Sequence, residues 1–105
     1  MSAIERATGF DWDEGNRAKC EKHGLTISEV AGLFMADPRI APDLRHSHEE
    51  DRLIAVGRTK LGRPLFVAFT IRNKSDKQLI RPVSARYMHK KEIAAYEKAG
   101  SKTEE

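Results

Sequence analysis

The sequence predicts an α+β domain, with two N-terminal helices and a C-terminal helix packed on a three- to four-stranded antiparallel sheet. Three observations carry this. Residues 13–37 contain two helix starts, each with its own cap. Residues 52–85 hold three strand-like runs separated by polar, turn-forming residues. Residues 89–99 place Ile93 and Tyr96 on one helical face.

In chain order, Phe10-Asp11-Trp12 alternates apolar and polar residues like a short strand. Asp13 caps a helix running to His23, with Gly24 as its stop. Thr26-Ile27-Ser28-Glu29 has capping-box spacing, and Ile27, Val30, Ala31 and Phe34 follow at helical intervals until Asp37-Pro38. Arg39 to Ala41 is a candidate short strand, and residues 43–51 are a polar loop. Residues 52–59 read as a strand, and Gly62 falls in a hairpin connection. Residues 64–71 are nearly continuous in apolar character, which fits a central strand covered on both faces. After a polar turn at 73–77, residues 78–85 form the last strand, where Pro82 marks an edge or a bulge because it has no N–H. The final helix is expected over 89–99, ended by Gly100. The domain organisation is a loose extension at 1–9, one domain at 10–99 and a frayed tail at 100–105.

With 105 residues the chain is expected to build one modest core, so an active site must be a shallow groove on one face. The single cysteine, Cys20, excludes an internal disulfide and reads as a packing residue. No apolar run approaches the length of a membrane span, and Met1 to Gly9 lacks the apolar stretch of a signal peptide, so a cytoplasmic location is expected.

Formal net charge is only +3, but between residues 57 and 91 ten Lys or Arg face one acid, Asp76. A basic middle of this kind is either a solvated face or a site for phosphate backbone. Motifs for nucleotide hydrolysis, structural zinc and serine-hydrolase chemistry are missing. The nearest approach to a metal site is His46-Ser47-His48-Glu49-Glu50-Asp51, which reads better as a polar loop. No metal and no cofactor are therefore expected.

Cutting RNA without a metal needs few groups, because the ribose 2′-hydroxyl already adjoins the scissile phosphate. The protein must take one proton, give another and stabilise the extra charge of the phosphorane. Histidine suits the proton transfers and arginine suits the phosphorane. Lys19 and His23 are four apart and share a helix face, with Lys22 beside them. Arg81 and Arg86 flank Pro82-Val83-Ser84-Ala85; strand alternation puts 81, 83 and 85 on one face and 82, 84 and 86 on the other. Arg86 leads into Tyr87-Met88-His89 at the last helix start, and Arg58 and Arg63 bracket the first hairpin. Each of these side chains has an ordinary reading as a solvated surface group.

The segments Phe10–Cys20 with Lys22-His23-Gly24, Arg52 with Gly57-Arg58-Thr59 and Gly62-Arg63, and Ile80–His89 with Glu92 and Tyr96 resemble, in order and spacing, the BrnT family. The resemblance covers about residues 10–97. It implies a RelE-like fold and a toxin of a type II toxin–antitoxin system that cleaves RNA without a metal and so inhibits translation and growth. It implies a BrnA-like antitoxin partner of ribbon-helix-helix type, in a complex of two toxins with an antitoxin dimer, through which operator DNA is reached indirectly. It ties Ser84-Ala85-Arg86 to toxicity, and Lys19, His23 and Arg58 fall in the other matched motifs. The catalytic candidates are thus Arg86, His23, Lys19, Arg58 and His89, and the RNA-binding candidates Lys22, Arg63, Arg81 and Tyr87. The alternative is an inactive member that serves as antitoxin partner, corepressor or RNA binder.

Overall fold

The computed structural model describes residues 7–45 and 51–103. The elements are β1 (Gly9–Phe10), α1 (Glu14–Glu21), α2 (Ile27–Phe34), β2 (Arg39–Pro42), β3 (Leu53–Arg58), β4 (Pro64–Lys74), β5 (Lys77–Tyr87) and α3 (Lys90–Thr103). The strands form one sheet in the order β1-β5-β4-β3-β2, antiparallel except that β1 runs parallel to β5. The α+β arrangement is the expected one, with five strands instead of three or four. The difference lies at the two edges. Thr8 N–H donates to Gln78 O at 2.9 Å and Asp11 N–H to Ile80 O at 2.8 Å, so a two-residue strand docks on β5. Arg39–Pro42 pairs with Leu53–Val56 at the opposite edge.

Both N-terminal helices begin where their caps stand. The Asp13 side chain accepts the Asn16 N–H, and the Asn16 side-chain oxygen accepts the Asp13 N–H. Thr26 and Glu29 close the second capping box in the same reciprocal way. Gly24 follows α1 at φ 85°, a conformation that favours glycine. The last helix departs from expectation: it runs through Gly100 to Thr103 instead of ending at 99. An interior glycine costs a helix about 1 kcal/mol, which weakens it without stopping it. Of the N-terminal extension, Ala7 packs against the core.

The core lies between the two N-terminal helices and one face of the sheet. Leu65, Val67 and Phe69 of β4 meet Cys20, Leu25, Val30, Leu33 and Phe34. The Phe34 ring stands edge-on to Phe69 at 5.0 Å and to Phe10 at 5.8 Å, geometries that aromatic quadrupoles favour. Cys20 is fully buried, as its reading as a packing residue requires, and burial pushes its thiol up to about 11.

The other face of the sheet is set by one irregularity. Pro82 pairs with Phe69 but Ser84 pairs with Ala68, so Val83 is an extra residue and β5 is bulged there. Simple alternation therefore fails, and the faces expected for 81–86 need correction. Ile80 and Pro82 point to the core before the bulge, and Ala85 and Tyr87 after it. Ser84 and Arg86 pair with Ala68 and Phe66, and so stand on the outer face. The bulge is held from outside the sheet. Asn16, 5% exposed, uses its side-chain amide to donate to Asp11 O at 2.9 Å and to Pro82 O at 2.8 Å.

Asn16→Ala removes a cap partner and leaves two carbonyls without a donor. It is expected to lower stability by about 2–3 kcal/mol, read as a shift in the urea unfolding midpoint. An unchanged midpoint would mean that the bulge holds itself.

Candidate active site

Outer-face residues follow period two along each strand: Ile54, Val56 and Arg58 on β3, Phe66 and Ala68 on β4, and Ser84 and Arg86 on β5 after the bulge. Arg52, immediately before β3, continues the same row. Against this face lies α3, fastened by three arginines. Arg86 makes a two-pronged pair with Glu92, at 2.7 and 2.9 Å. Arg58 pairs with Glu97 at 3.0 Å. Arg39 donates to Tyr96 O at 2.7 Å and stacks over the Tyr96 ring at 4.3 Å.

A groove of about 420 Å³ opens where α3 leaves the sheet uncovered. Its floor is Ile54, Phe66, Ala68 and Ser84; Arg86 and Glu92 line it at one end, and Arg52 lines it at the other beside Asp43, whose N–H donates to Arg52 O at 3.0 Å, with Arg45 following. Arg86 is rigidly placed. Its guanidinium lies 4.0 Å over the Phe66 ring, donates to Tyr87 O and grips Glu92. Glu92 also accepts the His89 N–H at 2.7 Å, which caps α3, and its Oε1 lies 3.6 Å from His89 Nδ1. The hydrogen bonds from Arg86, helped by that backbone N–H, pull the Glu92 carboxyl down to about 2. His89 itself is exposed.

The structure thus brings Arg86 and His89 together through Glu92. Arg58 shares their face but sits farther along α3, engaged by Glu97 and by Gly62 O. The other candidates lie elsewhere. Lys19 lines a second groove, of about 620 Å³, with Arg81 and the first turn of α1. There Arg81 is bound to Asp13 at 2.8 Å and to Asp11 at 3.4 Å; the bond to Asp13 raises the pKa of Arg81, while the Asn16 N–H, seconded by Arg81, lowers that of Asp13. Lys22 and His23 are exposed where α1 ends. Arg63 and Tyr87 belong to the helix-covered side: Arg63 pairs with Glu29 of α2 at 2.9 Å and stacks on Tyr87 at 4.9 Å, and Tyr87 packs against the core. His46 and His48 lie outside the described residues; among those described, no cluster of His, Cys, Asp and Glu could hold a metal ion. No described helix is long and apolar enough to cross a membrane.

Sequence reasoning gave no role to Arg52, Phe66 or Glu92. Two signals were available. Counting back by twos from Arg58 reaches Arg52 on the same strand face. The spacing His89-x-x-Glu92 is that of a helix start whose third residue reaches back to the cap.

No curated protein matches the chain significantly. A family model does match, over residues 12–92, and its description is "Ribonuclease toxin, BrnT, of type II toxin-antitoxin system". The match spans both capped helices, the bulged sheet from β2 to β5 and Glu92 at the start of α3, so the residues lining the outer-face groove fall inside it; the chain belongs to the BrnT family of ribonuclease toxins.

Proposed function

We propose that the protein is an endoribonuclease that cleaves RNA without a metal ion, working in the outer-face groove, and that its activity inhibits translation and growth. The observation that carries this reading is Arg86, held over Phe66 in the groove and linked through Glu92 to the exposed His89. In the reaction the 2′-hydroxyl attacks the adjoining phosphorus, the phosphorane carries an additional negative charge, and the 5′-oxygen leaves with a proton. Arg86 supplies fixed positive charge where that charge develops, at no cost of reorganisation. His89 transfers protons, with Glu92 orienting its Nδ1 side. His23 is left without that role, because it stands at the end of α1. Arg58, on the groove's own face, and Lys19, Lys22 and Arg81, beside the second groove, extend a phosphate track around the sheet edge. Arg63 and Tyr87 serve packing on the helix side.

The partner is an antitoxin, as membership of a type II family entails. A BrnA-like ribbon-helix-helix dimer holding two toxins, and reaching operator DNA on their behalf, is the form this reading takes. A second reading, a binding protein without activity, draws on one observation: both terminal nitrogens of Arg86 are already engaged by Glu92.

Induced expression and RNA cleavage by purified, antitoxin-free protein separate the two. Wild type is expected to arrest growth and to cut RNA equally with and without chelator. Arg86→Ala is expected to lose at least about 100-fold in cleavage rate while still binding antitoxin. Intact RNA from well-folded wild type would remove the enzyme reading, and loss of cleavage in chelator would remove its metal independence.

Glu92 also makes stability depend on pH. Its carboxyl lies near 2 in the folded chain against an ordinary 4.5, so the unfolded state binds more protons between those values. The stabilisation is complete above about 4.5 and is lost as pH falls toward 2. Thermal midpoints of wild type and Glu92→Gln are expected to differ at pH 6 and to converge toward pH 2.5. Parallel curves would show that the pair contributes nothing to stability.

A further inference from the structure

Arg86 cannot be the group that first receives a substrate phosphate. Its fork is closed: one terminal nitrogen is shared between Glu92 and Tyr87 O, the other is given to Glu92, and the guanidinium face lies on Phe66. It contributes a field to the groove, but new parallel hydrogen bonds from it require breaking the ones it has. Another arginine on the same face is in a different condition. Arg52 lines the groove, and its Nε is buried with no hydrogen-bond partner among the described residues. Thr70 Oγ1 is likewise buried without a partner among them. Thr70 lies on the outer face of β4, two residues beyond Ala68 of the groove floor. Arg52 precedes Leu53, the partner of Phe69, and so stands at the level of Thr70. An unmatched donor on a groove-lining arginine is costly unless something fills it, because buried polar groups in folded proteins are almost always paired.

The lining also limits what can enter. Among the described lining residues, Arg45, Arg52 and Arg86 stand against Asp43 and Glu92, which leaves one net positive charge. A phosphodiester, with a single negative charge and oxygens suited to an arginine fork, matches that balance better than a terminal phosphate with two. We infer that Arg52 is a phosphate-binding residue of this groove, which takes one backbone phosphodiester of the nucleic acid beside the closed Arg86–Glu92 pair. The inference rests on reading the groove as the RNA site and adds the residue that anchors the strand there.

The test measures binding and does not depend on cleavage. The probe is a short single-stranded DNA oligonucleotide, which has no 2′-hydroxyl to react, followed by fluorescence anisotropy against the full chain over a range of salt. Arg52→Ala is expected to weaken binding about tenfold and to reduce the slope of log affinity against log salt by about 0.7, the contribution of one phosphate contact on a single strand. Arg52→Lys keeps the charge and loses the fork, so it retains the slope and binds several-fold more weakly. Lys77→Ala, which removes the same charge at the β4–β5 turn, leaves binding as in wild type. Glu92→Gln loosens the hold on Arg86 and tightens binding. Wild-type affinity and slope in folded Arg52→Ala, or wild-type affinity in Arg52→Lys if the alanine variant does not fold, would overturn the inference. So would failure of wild type to bind the probe. If wild type binds through Arg52 yet leaves RNA intact, the cleavage reading falls and the phosphate site stands. If wild type cuts RNA and the Arg52 variants bind and cut equally well, the phosphate site alone falls.

Discussion

The side-chain amide of Asn16 joins three pieces of backbone: the cap of α1, the end of β1 and the bulge of β5. Everything on the outer face depends on that bulge. One residue of slip in a strand sends every later side chain to the opposite face. Without Val83 as an extra residue, Arg86 would continue the row of Ile80 and Pro82 into the core, and Tyr87 would take its place over the groove. A buried, unpaired guanidinium is far too costly for that arrangement to persist. Pro82 makes the irregularity cheap, since it has no N–H to lose from the ladder, and Asn16 satisfies the carbonyl that Pro82 keeps.

The same economy governs α3. Few of its residues are apolar, and its attachment to the sheet relies on arginines pairing with Glu92, with Glu97 and with the Tyr96 ring and carbonyl. Exposed pairs such as Arg58–Glu97 contribute little, because solvent screens them. The Arg86–Glu92 pair is more sheltered, two-pronged and braced by an aromatic ring, so it is the strongest of the fastenings. One carboxylate thereby caps the helix, fixes the arginine and flanks the histidine. Glu92 ties the start of the helix to the arginine that lines the groove.

Much of this was legible before the structure. Capping signals located both N-terminal helices, because a cap is a local bargain between residues three apart. The central strand showed as an apolar run because one face packs in the core and the other, although it floors the groove, is still largely sheltered. Pro82 announced an irregularity, but not its phase; whether the extra residue falls before or after it is decided by Asn16, 66 positions away in the chain. The same limit applies to the site. Arg86 stood out beside the helix start, whereas Arg63 and Tyr87, two positions carrying equally suitable chemistry, turned out to face α2 and the core. Residue type does not tell which side of a sheet a hairpin residue will choose. Gly100 misled for a related reason: a glycine ends a helix only when the chain beyond it has somewhere else to go.

Charge counting was the least faithful guide, and the reason bears on mechanism. Of the ten basic residues between 57 and 91, Arg58, Arg63, Lys74, Arg81 and Arg86 each have a carboxylate partner. Half of the basic stretch becomes, in the fold, a set of neutralised pairs, and its long-range field is weakened accordingly. At physiological salt, exposed charges beyond about 8 Å are screened in any case. Recognition of a polyanion by such a surface cannot rest on a broad positive potential. It must rest on a few donors that are placed, sheltered and still unmatched. Arg52 lies outside the conspicuous basic stretch, and its Nε meets that description. What makes it suited to a phosphate is a buried hydrogen-bond donor left without an acceptor among the described residues, a property that exists only once the strands have paired.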